Sequence, residues 1–138
     1  MPGALWRQLA FAVLIPMAAL CVMSVVSCVP EEVGRVLGLP FMATMQLVGT
    51  VGPGVIVGRA VRRQRFWLGM GAAIVGWIVG VVGACFLEYV LIAVVPGYQG
   101  AGQGILWLFA PLVLGLLCSP ITGIVSALVP KFSALGPR

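Results

Sequence analysis

Histidine and aspartate are missing from the chain, and only Glu31, Glu32 and Glu88 bring carboxyl side chains to its 138 residues. Without histidine there is no imidazole for zinc, for haem or for activating a nucleophile, and without aspartate paired-Asp chemistry is closed as well. Charge of either sign is scarce: 8% of residues are Asp, Glu, Lys or Arg, against about a quarter in an ordinary soluble domain. Cysteine is limited to Cys21, Cys28, Cys85 and Cys118, with no Cys-x-x-Cys pair among them. Neither a thiolate metal site nor a redox dithiol is indicated, and each cysteine reads as small apolar filler. The composition points away from an enzyme and calls for no metal and no cofactor.

What is present is apolar sequence, 62% of the chain before its 19 glycines are counted. The charges separate uncharged runs of 23, 23, 22 and 42 residues, at 8–30, 36–58, 66–87 and 89–130. A helix crosses the hydrocarbon core with about 20 apolar residues, so the first three runs are each one span. The fourth is the end of a span, a Pro/Gly turn from Pro96 to Gly104, and another span. The expected fold is an all-α membrane protein, a single domain with transmembrane helices at about 9–29, 39–58, 67–94 and 105–129, arranged as two consecutive antiparallel hairpins.

Orientation follows from lysine and arginine, which concentrate in cytoplasmic loops. With the N-terminus inside, the inner segments hold Arg7, Arg59, Arg62, Arg63, Arg65, Lys131 and Arg138, and the outer ones hold Arg35 alone. Both termini are therefore expected in the cytoplasm and the chain in a cell (inner) membrane. Arg59, Arg62, Arg63 and Arg65 set the orientation and would attract anionic headgroups of the lipid bilayer. The net charge of +5 is thus a topology signal and not one for nucleic acid, which would want a broader basic surface carrying aromatics. Glu31 and Glu32 read as a hydrophilic outer loop.

The first span ends in Val25-Val26-Ser27-Cys28, which with Arg7 and the intervening apolar stretch resembles a bacterial lipoprotein signal and its lipobox. The resemblance covers 28 residues and implies cleavage before a lipidated Cys28, leaving three spans. The stretch is also long enough to span, and it leads into further apolar runs instead of a soluble domain. Both points favour a retained span one. Thr50-Val51-Gly52-Pro53-Gly54 resembles a potassium-filter signature with proline in place of the aromatic, but it ends a span and leaves no room for a pore helix.

Helices in lipid associate where small residues spaced four apart let backbones approach. Span three has Ala72, Gly76, Gly80 and Ala84, and span four has Gly115, Ser119, Gly123 and Ala127. Joined by a tight turn, these two ridges are expected to make the closest contact in the molecule. Proline interrupts three spans at Pro16, Pro40, Pro53, Pro111 and Pro120; Gly52-Pro53-Gly54 is the first place to expect a true break, with a plain kink satisfied by Thr50 the favoured reading there.

Glu88 is the one ionisable carboxyl within a span, and such a residue is a functional candidate by default. It follows Trp67 by 21 residues, about 31 Å of helix, which places it in the outer third. With Gln46 and Thr50 of span two it forms the candidate ion or proton site; its structural alternatives are the outer interface or a bond to Tyr89, Gln46 or a freed carbonyl. Gln46, Thr44 and Thr50 are expected to bond across to neighbouring helices. Two functions fit: a non-enzymatic accessory or assembly subunit that acts through helix packing on a membrane-protein partner or as a homo-oligomer, and a small oligomeric channel or transporter using Glu88 and the Gly52-Pro53-Gly54 break.

Overall fold

The computed structural model describes residues 2–27, 31–94 and 104–134. All regular structure in them is helical: α1 Pro2–Ser27, α2 Glu31–Ala60, α3 Arg65–Val94, α4 Gly104–Leu117 and α5 Ser119–Ala134. Cys28 and most of the Pro/Gly turn, 96–103, lie outside the described residues. Three stretches are long and apolar enough to cross a membrane: Gly3–Ser24, Pro40–Ala60 and Arg65–Val94. The fourth run makes a span only as a bent pair, Phe109–Leu117 with Ser119–Pro130, at 47° to each other.

That bend corrects one expectation. Helix α2 runs unbroken through Pro53, and the break falls at Cys118 instead. Proline at 120 has no N–H to offer the Leu116 carbonyl. The turn tightens there, with Ile121 N–H donating to the Cys118 carbonyl at 2.9 Å, three residues back. Around Pro53 the helix is clamped: the ring is buried, Ile15 of α1 lies against Gly52, and Thr122 and Val125 of α5 lie against Gly54. A second difference concerns Glu31 and Glu32. The segment expected as an outer loop is the helical start of α2.

The turn between α2 and α3 is four residues, Val61 to Gln64. Val61 N–H still bonds the Val57 carbonyl, at 2.9 Å, and Gln64 then takes a left-handed φ of 54°. The Gln64 carbonyl accepts from Leu68 N–H at 3.0 Å and starts α3. With no proline inside, α3 continues for 30 residues.

Helix α3 is the central element. It packs along α1 and, as extensively, along the last span, and the pairs with α1 climb both helices together: Pro16 with Gly76, Leu20 with Gly80, Ser24 with Glu88. Gly76 and Gly80 of the α3 ridge therefore meet α1, while α3 meets the last span as closely, at Gly69 against Ser126 and at Trp77 against Gly115. An alanine at Gly76 would touch the Val13 carbonyl, and one at Gly80 would touch Leu20 and the Met17 backbone. The physical reason is register: Pro16 has no amide hydrogen and a flat ring, and a glycine opposite lets that ring lie against the α3 backbone. The last span takes the remaining sides of α2 and α3. Gly54 and Gly58 face the Thr122 and Ser126 carbonyls, and Gly123 faces Phe66.

Two apolar clusters fill the bundle. Ala12, Val57 and Ala72, with Leu9, Val13, Ile56, Val61 and Leu68 around them, lie toward the arginine-bearing turn. Leu20, Met23, Ala73, Trp77 and Ala84 form the other, with Met45, Leu112 and Leu116 packed on it. The exterior is apolar: Leu47, Val82, Phe86 and Leu117 are all well exposed, as lipid-facing side chains are expected to be.

Candidate functional site

Glu88 extends the ridge that begins at Ala72, and Ala84, one turn before it, is fully buried. Glutamate in a helix leans toward the N-terminus. With α1 and α3 in a register that pairs residue 20 with 80, Ser24 lies level with Ala84, and Glu88 reaches back one turn to meet it. Ser24 Oγ donates to Glu88 Oε1 at 2.8 Å, and the glutamate is 4% exposed. Among the described residues a hydroxyl satisfies this carboxyl group buried among apolar helices. The nearest arginine on its own helix, Arg65, is 23 residues away, about 34 Å. Tyr89 points outward at 73% exposure and takes no part.

Gln46 and Thr50 are not brought to Glu88 by any bond. Gln46 Nε2 donates to the Pro111 carbonyl of α4 at 3.4 Å, while Thr50 Oγ1 donates to the Gln46 carbonyl of its own helix at 2.8 Å. Thr44 likewise bonds its own helix, at the Pro40 carbonyl. Of the three, Gln46 alone bonds across. The strong cross-helix bond comes from a residue that the sequence pattern does not single out: Thr122 Oγ1 donates to the Thr50 carbonyl at 2.8 Å, fully buried. Ser24 is equally inconspicuous in the sequence. Both are single small hydroxyl residues in apolar stretches, and only the helix register shows which neighbour they face.

Gly115, Ser119 and Gly123 of the last span are buried, but Ala127 is exposed. Ser119, Gly123 and Ala127 share α5, and residues four apart drift about 40° around a helix at each step, so the buried stripe of α5 runs through Thr122, Gly123 and Ser126 and leaves Ala127 off the shared face. Gly115 faces the Trp77 ring, and Ser119 Oγ donates to the Gly115 carbonyl at 2.9 Å. All four members of the α3 ridge are buried.

Trp77 is the largest fully buried side chain among the described residues. Its indole is wedged between two glycines: a Cβ on Gly49 would lie 2.7 Å from one edge of the ring, and a Cβ on Gly115 would press into its face. Its Nε1 is the one buried side-chain polar atom without a hydrogen-bond partner among the described residues. The surface has an apolar groove of about 250 Å³ between α1 and α2, lined by Ile15, Ala18, Ala19, Val22, Met45 and Val48. No polar side chain is among them.

The basic residues divide by position. Arg7, Arg59, Arg62 and Arg63 are exposed, and Arg65 Nε donates to the Val61 carbonyl. The second apolar cluster draws the start of α1, the end of α2 and the start of α3 to one end of the bundle, so all five arginines gather there. Trp6 and Trp67, 71% and 65% exposed, stand at the same end. Cys21, Cys85 and Cys118 are free thiols. Among the described residues no three His, Cys, Asp or Glu side chains come together as a metal site.

Comparison with known protein families, with curated proteins and with solved structures finds no match to this chain.

Proposed function

We propose that this chain is a multi-pass inner-membrane protein that acts as a non-enzymatic accessory or assembly subunit through helix packing. The observation that carries the reading is the way the helices meet: backbone against backbone at Gly54, Gly58 and Gly76, around a fully buried Trp77, beneath an apolar exterior. Such a body is built to be rigid and to sit in lipid beside other helices. In this reading the bent pair is one span, the chain crosses four times as two successive hairpins, and the arginine end with both termini faces the cytoplasm. The gathering of Arg7 with the Arg59–Arg65 turn supports that orientation, because arginine collects on the inner side. The first span stays in the protein; its contact along α3 and the Ser24–Glu88 bond favour retention over cleavage before Cys28. The partner is another membrane protein or a second copy, and nucleic acid is not among its ligands.

A second reading is favoured by one observation, the burial of Glu88. A membrane-embedded carboxyl held by a hydroxyl suits a site that takes up and releases a proton or cation in a small oligomeric transporter. Purification in mild detergent, followed by identification of what remains bound, tests the first reading: a stoichiometric partner or homo-oligomer is expected. Ion and solute flux in liposomes separates the two. Flux that vanishes in Glu88→Gln would replace the subunit reading with transport, and a tight liposome under every gradient removes transport.

A further inference from the structure

We propose that the arginine end of the bundle is a binding site for the phosphate headgroup of an anionic phospholipid, assembled from the start of α1 and the α2–α3 turn. The site rests on the proposed orientation and adds a ligand to it. Arg7 is separated from Arg59 by 52 residues of sequence. The fold removes that separation: Leu9, Ala12 and Val13 of α1 pack in one cluster with Val57, Val61 and Leu68 from either side of the turn. Arg7 lies two residues before Leu9 of that cluster, and Arg59, Arg62 and Arg63 lie within two residues of Val61.

The four guanidinium groups are exposed and can turn toward a ligand, whereas Arg65 is engaged by the Val61 carbonyl. Among the described residues no carboxyl side chain stands at this end to neutralise them. Glu88 is at the far end of α3, and Glu31 and Glu32 begin α2, with Glu32 27 residues before Arg59, about 40 Å of helix. Guanidinium matches phosphate oxygens with paired N–H donors, and does so more selectively than a point charge would. Trp6 and Trp67 flank the patch, both well exposed. Indole rings favour the headgroup level of a bilayer, which puts the arginines beside them at phosphate depth. The tight turn, fixed by the left-handed Gln64, holds Arg62 and Arg63 outside the helices instead of along them.

The full chain in mild detergent is exposed to a mixture of phosphatidylglycerol and phosphatidylcholine, and bound lipid is read by native mass spectrometry. Wild type should retain phosphatidylglycerol preferentially. Each arginine near an anionic surface contributes about fivefold in binding, so Arg7→Gln should lower retention about fivefold and the pair Arg62→Gln, Arg63→Gln about 25-fold. All three positions are exposed, and helix content measured by circular dichroism confirms that the variants are folded. Equal retention of phosphatidylcholine, or an Arg7→Gln variant that retains phosphatidylglycerol like wild type, would overturn the site. Displacement by millimolar inorganic phosphate would overturn the lipid as its source. Thiol labelling at the turn reads the orientation separately, so a lost preference at a cytoplasmic turn counts against the headgroup site alone.

Discussion

Replacing Gly76 by alanine puts one methyl group where α1 and α3 touch. The new carbon would stand 2.8 Å from both the Val13 carbonyl oxygen and the Pro16 ring. Ordinary contact begins near 3.4 Å, so the helices are roughly 0.6 Å too close to accept it. Neither neighbour yields: one is helix backbone, and the other is a fully buried proline. The helices must part, and a gap of that size forfeits about a quarter to a half of the dispersion energy of the atoms along it. Overpacking of this kind costs about 1–3 kcal/mol. In water, alanine would recover about 0.8–1 kcal/mol of helix propensity. In a bilayer the separated helices remain helical, because no water is present to take their backbone groups, and most of that gain cancels. Gly71 is the internal control, five residues earlier on the same helix with nothing within 4 Å of its added carbon. Gly71→Ala should stay within about 0.5 kcal/mol of wild type. Unfolding in mixed micelles by a denaturing detergent, followed by circular dichroism, measures both. Equal stability of the two variants would refute the claim that α1 and α3 meet backbone to backbone at Gly76.

Ser24→Ala removes the hydroxyl that Glu88 Oε1 accepts from and should cost about 1–2 kcal/mol in the same assay. Ser24→Ala in a Glu88→Leu background should then cost less, by the share that the Ser24–Glu88 bond contributes. Thr122→Val keeps shape and loses the bond to the Thr50 carbonyl, an expected loss of about 1 kcal/mol; Thr44→Val, whose exposed hydroxyl bonds only its own helix, should be neutral. Trp77→Ala should cost about 3–5 kcal/mol through the cavity it opens. Trp77→Phe should cost far less, because it also deletes an N–H that has no acceptor.

The three long apolar helices were legible in the sequence because lipid imposes a simple rule, long uncharged runs bounded by Arg, Pro or Glu, whereas the fourth run makes a span only as a bent pair. The ridge residues of α3 were legible for the same reason, as glycine and alanine four apart mark a close-packing face. Which helix lies on that face was not, because Gly76 and Gly80 accept any backbone; the partner is decided by Pro16 and Leu20 on α1. The break was misplaced because proline alone does not bend a helix. Pro53 is clamped by α1 and α5, while Pro120 comes after a residue, Ser119, whose hydroxyl takes the Gly115 carbonyl. Glu88 stood out as the lone carboxyl of the spans, but Ser24 and Thr122 became visible only through the register between helices. The apolar exterior and the missing His and Asp leave function to be read from packing and from the two polar ends.

The proposed orientation depends on which side of the membrane the Arg59–Arg65 turn faces. Single cysteines placed at Arg62, Arg63 and Gln64, in a background lacking the four native cysteines, report it directly through a membrane-impermeant maleimide. These exposed positions should resist the reagent in intact cells and react once the membrane is opened. Labelling of the turn from outside intact cells would contradict the orientation and the cytoplasmic placement of the arginine end.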